Sequence, residues 1–244
     1  PNEALDQTNQ GIGVHGTSWI FHLLPEMDKN TIYEDWNLGL NVYGNSVMAL
    51  NPLQPAVAEI PALICPSRPR NAALFQYIRR VNPNVLTGGN GYSACVGSGV
   101  AFDDTQMDPR FRPVYHLTPQ NLQNPLTALD FIPQAQNMGA FAVNSSIKEK
   151  DISDGMTNVI LVGEHDRLNF NMIPPNNLNI QLTDLQSNDG WAWGGAATLF
   201  STRYGINKKL HYDGAGSAHP QIDLFLRGDG SATSISENIN QIIY

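Results

Sequence analysis

The chain has little charge: of its 244 residues 14 are Lys or Arg and 22 are Asp or Glu, a charged fraction of 15% and a formal net charge of −8. So few cations supply no basic stripe for a phosphate backbone, and an anionic membrane surface repels an acidic chain. The balance therefore argues against nucleic acid and against membrane contact by this chain. No apolar run approaches the roughly 18 residues of a spanning helix, and no charged-then-apolar signal segment opens the sequence. Only two cysteines occur, Cys65 and Cys95, and neither has a second thiol or a His at zinc-like spacing. G-x-x-x-x-G-K-[ST], G-x-S-x-G and H-E-x-x-H are all missing.

What is present is a polar surface without charge. The chain carries 25 Asn against 5 Lys, with 41% hydrophobic residues, 21 Gly and 16 Pro. That composition fits a loop-rich folded protein, and the uncharged surface suits an extracellular or cell-surface location. A single cysteine pair fits the same oxidising compartment, and a Cys65–Cys95 disulfide is expected, because the strand after Cys65-Pro66-Ser67 and the strand containing Cys95 both read as central and able to lie side by side. Two buried free thiols are the alternative.

Residues 1–17 read as a flexible leader and residues 18–244 as one globular domain. A short helix is expected after Pro25, with Met27, Ile32, Tyr33 and Trp36 on one stripe. Strands are expected at 62–67 (ALICPS), 91–99 (GYSACVGSG), 139–143 (GAFAV), 159–162, 191–193 (WAW) and 222–227 (IDLFLR). SATSI follows the last of these across Gly228-Asp229-Gly230, a hairpin signal. Ser236 is placed to cap a closing helical turn. Residues 102–137 and 168–189, rich in Pro, Asn and Gln, read as long excursions.

Motifs for chemistry are sparse. Gly11-Ile-Gly13-Val-His-Gly16 matches a dinucleotide fingerprint by letters, yet it follows a polar segment where a buried strand is required. Glu164-His165-Asp166 sets a His between carboxylates, but successive residues of a strand face opposite sides and cannot converge. Asp-Gly turns at 154–155, 213–214 and 229–230, with Asp103 and Asp104, could hold calcium; ordinary turn chemistry accounts for each without it. No cofactor is required. Asn144-Ser145-Ser146 is a glycosylation acceptor sequence. Tyr115, Trp191, Trp193 and Tyr212 are the aromatics on which a sugar could stack, with core packing as the alternative.

Four ordered landmarks carry a family resemblance. Ser18-Trp19 through Leu24-Pro25 to Tyr33, Cys65-Pro66-Ser67 with Tyr92 to Gly97, Ile152-Ser153-Asp154-Gly155-Met156-Thr157-Asn158 running on to Glu164, and His219 followed by nine residues and then Asp229-Gly230 together resemble a bacterial family of pilin-like secreted proteins, often labelled a solute-binding-like domain of unknown function. His219-Pro220-Gln221-Ile222 departs from the family's His-Pro-Gly-Gly, and Ala232-Thr233-Ser234 from its Val-Arg-Phe.

The resemblance implies an α+β fold: an antiparallel sheet-centred pilin-like head with short helices and long loops, whose N-terminal apolar helix is absent from this chain. It also implies self-assembly with identical or related subunits in an extracellular filament or a secretion-related pseudopilus, and no catalysis. Asp154, Gly155, Asn158, Glu164, His219, Asp229 and Gly230 are then structural, with His219 and Asp229 at opposite ends of one strand. The alternative is an extracellular module binding a polysaccharide or a small solute, and an acidic hydrolase is the third reading.

Overall fold

In a computed structural model the described residues are 16–67, 75–77, 86–101, 115–116, 138–142, 145–165, 190–192, 194, 198–207, 214–240 and 244. Residues 1–15, nearly all of 102–137 and 168–189, and the positions of Asn144, Trp193 and Tyr212 lie outside them, as does the side chain of Tyr115. Two compact units divide the chain: residues 1–90 with 187–198, and residues 91–186 with 199–244.

The first unit is built from short helices joined by turns. Ser18 caps α1 (Trp19–Leu23), its Oγ accepting the N–H groups of Ile20 and Phe21, which are otherwise orphaned at a helix start. The same hydroxyl donates to the carbonyl of Trp191 at 2.5 Å, and the Ser18 N–H donates to the carbonyl of Ala192. Pro25 opens a 3-10 turn (Pro25–Met27), and α2 (Asn30–Glu34) follows. The single helix expected after Pro25 is therefore interrupted, at Asp28, which adopts a left-handed φ of 56°.

Ile20, Phe21, Leu24, Trp36, Val42, Ile60, Leu63 and Trp191 form this unit's core. Its strand pairing among the described residues is antiparallel, between β1 (Phe75–Tyr77) and β2 (Leu86–Gly88). Gly88 is required there, because a Cβ would lie 2.1 Å from the Ala58 carbonyl and 2.4 Å from Trp191 Nε1.

The second unit contains a five-stranded sheet. In chain order its strands are β3 (Tyr92–Cys95), β6 (Ile160–Glu164), β7 (Leu199–Phe200), β8 (Ile222–Arg227) and β9 (Ala232–Ser236); β4 (Val100–Ala101) and β5 (Tyr115–His116) form a separate parallel pair. The spatial order is β7-β3-β6-β8-β9. Three of the four pairings are antiparallel, but β3 and β7 run parallel. The sheet is thus mixed, a correction to the antiparallel expectation. A tight turn forces antiparallel pairing, whereas β7 enters after a long connection that leaves its direction open. Cys95, Phe200, Ile206, Ala215 and Phe225 form the core beneath this sheet.

Other expected strands are also corrected. Residues 61–63 form a 3-10 turn begun by Pro61 and no strand reaches Cys65. Trp191 and Ala192 lie in a turn, with the Trp191 N–H on the Gly88 carbonyl and the indole N–H on Ala58. Of the expected 139–143 strand, the described residues 139–142 form none, and they meet the end of β3 through the Gly139 N–H on the Val96 carbonyl and the Phe141 N–H on the Cys95 carbonyl.

The disulfide is not formed: Cys65 and Cys95 are both buried, and no disulfide joins them. Its premise was adjacent strands, but Cys65 is not on one, and both edges of β3 are occupied, by β6 and β7. Cys95 faces the sheet core and accepts the Gly97 N–H at 3.4 Å, while burial pushes its thiol up to about 11.

Candidate functional site

The central strand β6 carries the motif that the sequence singled out. Its run Ile160-Leu161-Val162-Gly163-Glu164 becomes buried toward the C-terminal end. Gly163 lets the aromatic ring of Phe225 lie directly against the strand, since a Cβ there would be 2.6 Å from it. Packing this close holds β8 against β6 and fixes where the next side chain, Glu164, points.

Glu164 is 3% exposed, and a buried carboxylate is costly unless hydrogen-bonded. Ser217 Oγ donates to Oε2 at 2.5 Å, the Leu224 N–H reaches the same oxygen at 3.4 Å, and His219 Nε2 stands 3.6 Å from Oε1. The Glu164 carbonyl accepts the Gly216 N–H. The 214–219 segment is itself braced: Ser217 accepts the His219 N–H, and its own N–H goes to Asn207 Oδ1, whose amide donates in turn to Glu237.

His165, one residue on, faces the opposite side of the strand, where its Nδ1 meets Ser93 Oγ at 2.6 Å. The pleat thus separates Glu164 from His165, as alternation requires.

The other motif residues lie elsewhere. Asp154 and Gly155 make an exposed turn before β6: Gly155 has φ 85°, the Asn158 amide donates to the Asp154 carbonyl, and the Asp154 carboxylate accepts from Ser153. Asp229 is in the β8–β9 turn, its Oδ1 accepting both the hydroxyl and the N–H of Ser231. Those bonds, the hydroxyl's first, hold its pKa below the usual value. Gly230 follows with φ 83°. His219 and Asp229 therefore have separate partners, and the carboxylate beside His219 is Glu164. Trp191, offered as a sugar platform, is fully buried in the first unit's core.

Sequence reasoning passed over Ser217, Asn207 and Ser93. The only local hint was the small-residue run Gly214-Ala215-Gly216-Ser217 before His219, a place where backbone can approach a neighbouring strand.

Chemically, Glu164 presents its two carboxylate oxygens to different partners. Here the Ser217 hydroxyl donates to the carboxylate, while His219 approaches the other carboxylate oxygen. The carboxylate joins the end of β6 to one distant stretch of the chain, through the Ser217 hydroxyl 53 positions on and the Leu224 N–H 60 positions on.

The class defined by these features is an α+β protein with few short helices and one mixed five-stranded sheet, whose middle strand ends in a buried, hydrogen-bonded glutamate. The chain belongs to the family described as a protein of unknown function (DUF1559; SBP_bac_10), whose profile matches residues 1–241. No curated protein and no solved structure matches it.

Proposed function

We propose that the chain is the extracellular head of a structural subunit, pilin-like or pseudopilin-like, that assembles with identical or related subunits into a filament or a secretion-related pseudopilus. The observation that carries this reading is the use made of Glu164: its carboxylate is buried and bonded to Ser217 and the Leu224 N–H. The neighbouring motif residues support it in the same way. Asp154, Asn158 and Asp229 are occupied by turn hydrogen bonds. A head that bears load in an assembly needs such cross-links between distant parts of its chain more than it needs a reactive group.

The test uses the complete gene. Cells expressing it should display filaments, or cross-linked ladders, containing this head. Glu164→Gln should lower the stability of the head by about 2 kcal/mol, because one charged acceptor is lost among buried donors, and should reduce the assembled fraction in proportion to unfolding. A hydrolytic turnover that disappears in a folded Glu164→Gln variant would replace this reading with an enzymatic one.

A second reading, an extracellular module for carbohydrate or another small solute, has one specific support. An open depression of about 610 Å³ is lined by Asn158, Arg227, Thr233 and Asn238 together with Ile160 and Ile235. Amides, hydroxyls and one cation beside apolar side chains suit a hydroxylated ligand. Chemical-shift changes at these residues on titration with neutral and acidic sugars would favour it.

A further inference from the structure

Between Trp36 and Ala58 the sequence contains no charged residue, although the whole chain carries −8. In the first unit this stretch is folded into successive turns around one buried amide. Asn45, fully buried, accepts the Asn37 N–H and the Asn51 side-chain amide on its Oδ1, and donates to the carbonyls of Asn37, Leu40 and Asn41. Asn51 also donates to the Asp35 carbonyl, and Gln54 to that of Ser46. A loop with this many internal bonds holds one shape without a regular element.

What it holds outward is apolar. Leu38, Met48, Leu50 and Leu53 are 56%, 65%, 44% and 63% exposed. Leu38 follows Asn37, and Leu50 and Leu53 flank Asn51; because Asn37 and Asn51 bond to the same Asn45 oxygen, the turns bearing these side chains are drawn together. Large side chains on a rigid loop lose little entropy when covered, and clustered exposed apolar groups mark interaction sites.

We infer that the 37–54 loop is a contact surface for a second copy of this chain. The argument for that occupant is electrostatic. Two molecules of net charge −8 repel wherever acids face each other, whereas the 36–58 stretch lets copies meet over neutral ground. Its apolar tips supply the attraction and its uncharged amides leave no ion to desolvate. The inference rests on the assembly reading above and names a surface for it.

Sedimentation velocity of the full chain over a micromolar-to-millimolar range tests it. The wild type should self-associate at the upper end, and the double variant Met48→Glu, Leu53→Glu should weaken that association about tenfold or more. Both side chains are exposed, so near-ultraviolet circular dichroism should be unchanged, and Ile147→Glu, at an exposed position of the second unit, should associate as the wild type does. A wild type that stays monomeric throughout, or a double variant that associates equally well, overturns the inference. So does cosedimentation with neutral phosphatidylcholine vesicles that the double variant abolishes, which would give the surface to lipid. Expression of the complete gene separates the two levels. Filaments formed equally by wild type and double variant would remove this contact and leave the assembly reading standing, while no assembly by the wild type would remove the assembly reading itself.

Discussion

The two units stabilise loop-rich chain by different means. The first, with five-residue helices and 3-10 turns, relies on side chains bonded to backbone: Ser18 on α1 and Trp191, Asn45 on three carbonyls, Trp19 Nε1 on the Thr198 carbonyl at 2.7 Å. Its core is aromatic, with Phe21 stacked on Tyr33 and tilted against Trp36, and Trp36 against Trp191. The second unit relies on the ladder, and there side-chain hydrogen bonds concentrate where a strand ends, at Glu164 and Asp229. Asparagine-rich sequence can thus replace missing helix and strand bonds with side-chain bonds, because Asn both donates and accepts. Where the ladder exists, polar side chains are released for locking distant segments.

Replacement of Trp191 by Ala should have the largest effect, about 3–5 kcal/mol, from lost burial and the cavity left behind. Hydrogen exchange should show faster opening of the first unit's amides, with the β3–β6–β8 ladder retaining protection. Equal loss in both would break the distinction drawn between them.

The second effect is alkaline. Burial raises the Cys95 thiol from 9.0 to about 11, so the folded sheet keeps a proton that the unfolded chain loses between those values. Its contribution is whole below about pH 9 and falls as pH rises toward 11, by roughly 3 kcal/mol at most. Tyr244, also raised by burial, adds in the same direction at higher pH. Urea midpoints measured from pH 8 to 11 should fall for the wild type and less for Cys95→Ala; parallel curves would show that the thiol is not buried in the sheet core.

Asn45→Ala should destabilise the first unit by about 2 kcal/mol, since several backbone groups lose a buried partner, and limited proteolysis should then cut within 37–54. Resistance equal to the wild type would show that the turns persist without the amide.

The smallest effect is at Asp229. Its pKa is lowered chiefly by the Ser231 hydroxyl, so its turn bonds hold above the ordinary carboxylate range and are lost as pH falls below it through the folded value. Ser231 amide exchange should quicken on acidification in the wild type and be fast throughout in Asp229→Ala, with no measurable change in the midpoint of the first unit.

Legibility from sequence followed the distance over which each feature is decided. Ile222–Arg227 alternates and ends in Asp229-Gly230, so the β8–β9 hairpin was readable from side-chain period and turn chemistry, both local. A strand over Val159 to Val162 was readable from its β-branched run, though these residues are only half-buried, and a helical turn was readable from Pro25. WAW misled, because a buried tryptophan serves a turn against Ala58 and Gly88 as well as it serves a strand. ALICPS misled because Pro61 begins a 3-10 turn in place of extended chain.

By itself, then, the sequence determined the β8–β9 hairpin and the separation of Glu164 from His165 on opposite faces of a strand. Tertiary structure alone decided that β7 runs parallel to β3, that no disulfide joins Cys65 and Cys95, and that Glu164 is met by Ser217, 53 residues away, and by His219. Periodicity and turn residues act within a few positions, whereas strand order and side-chain meetings depend on where long connections return the chain, which nearest-neighbour chemistry does not encode.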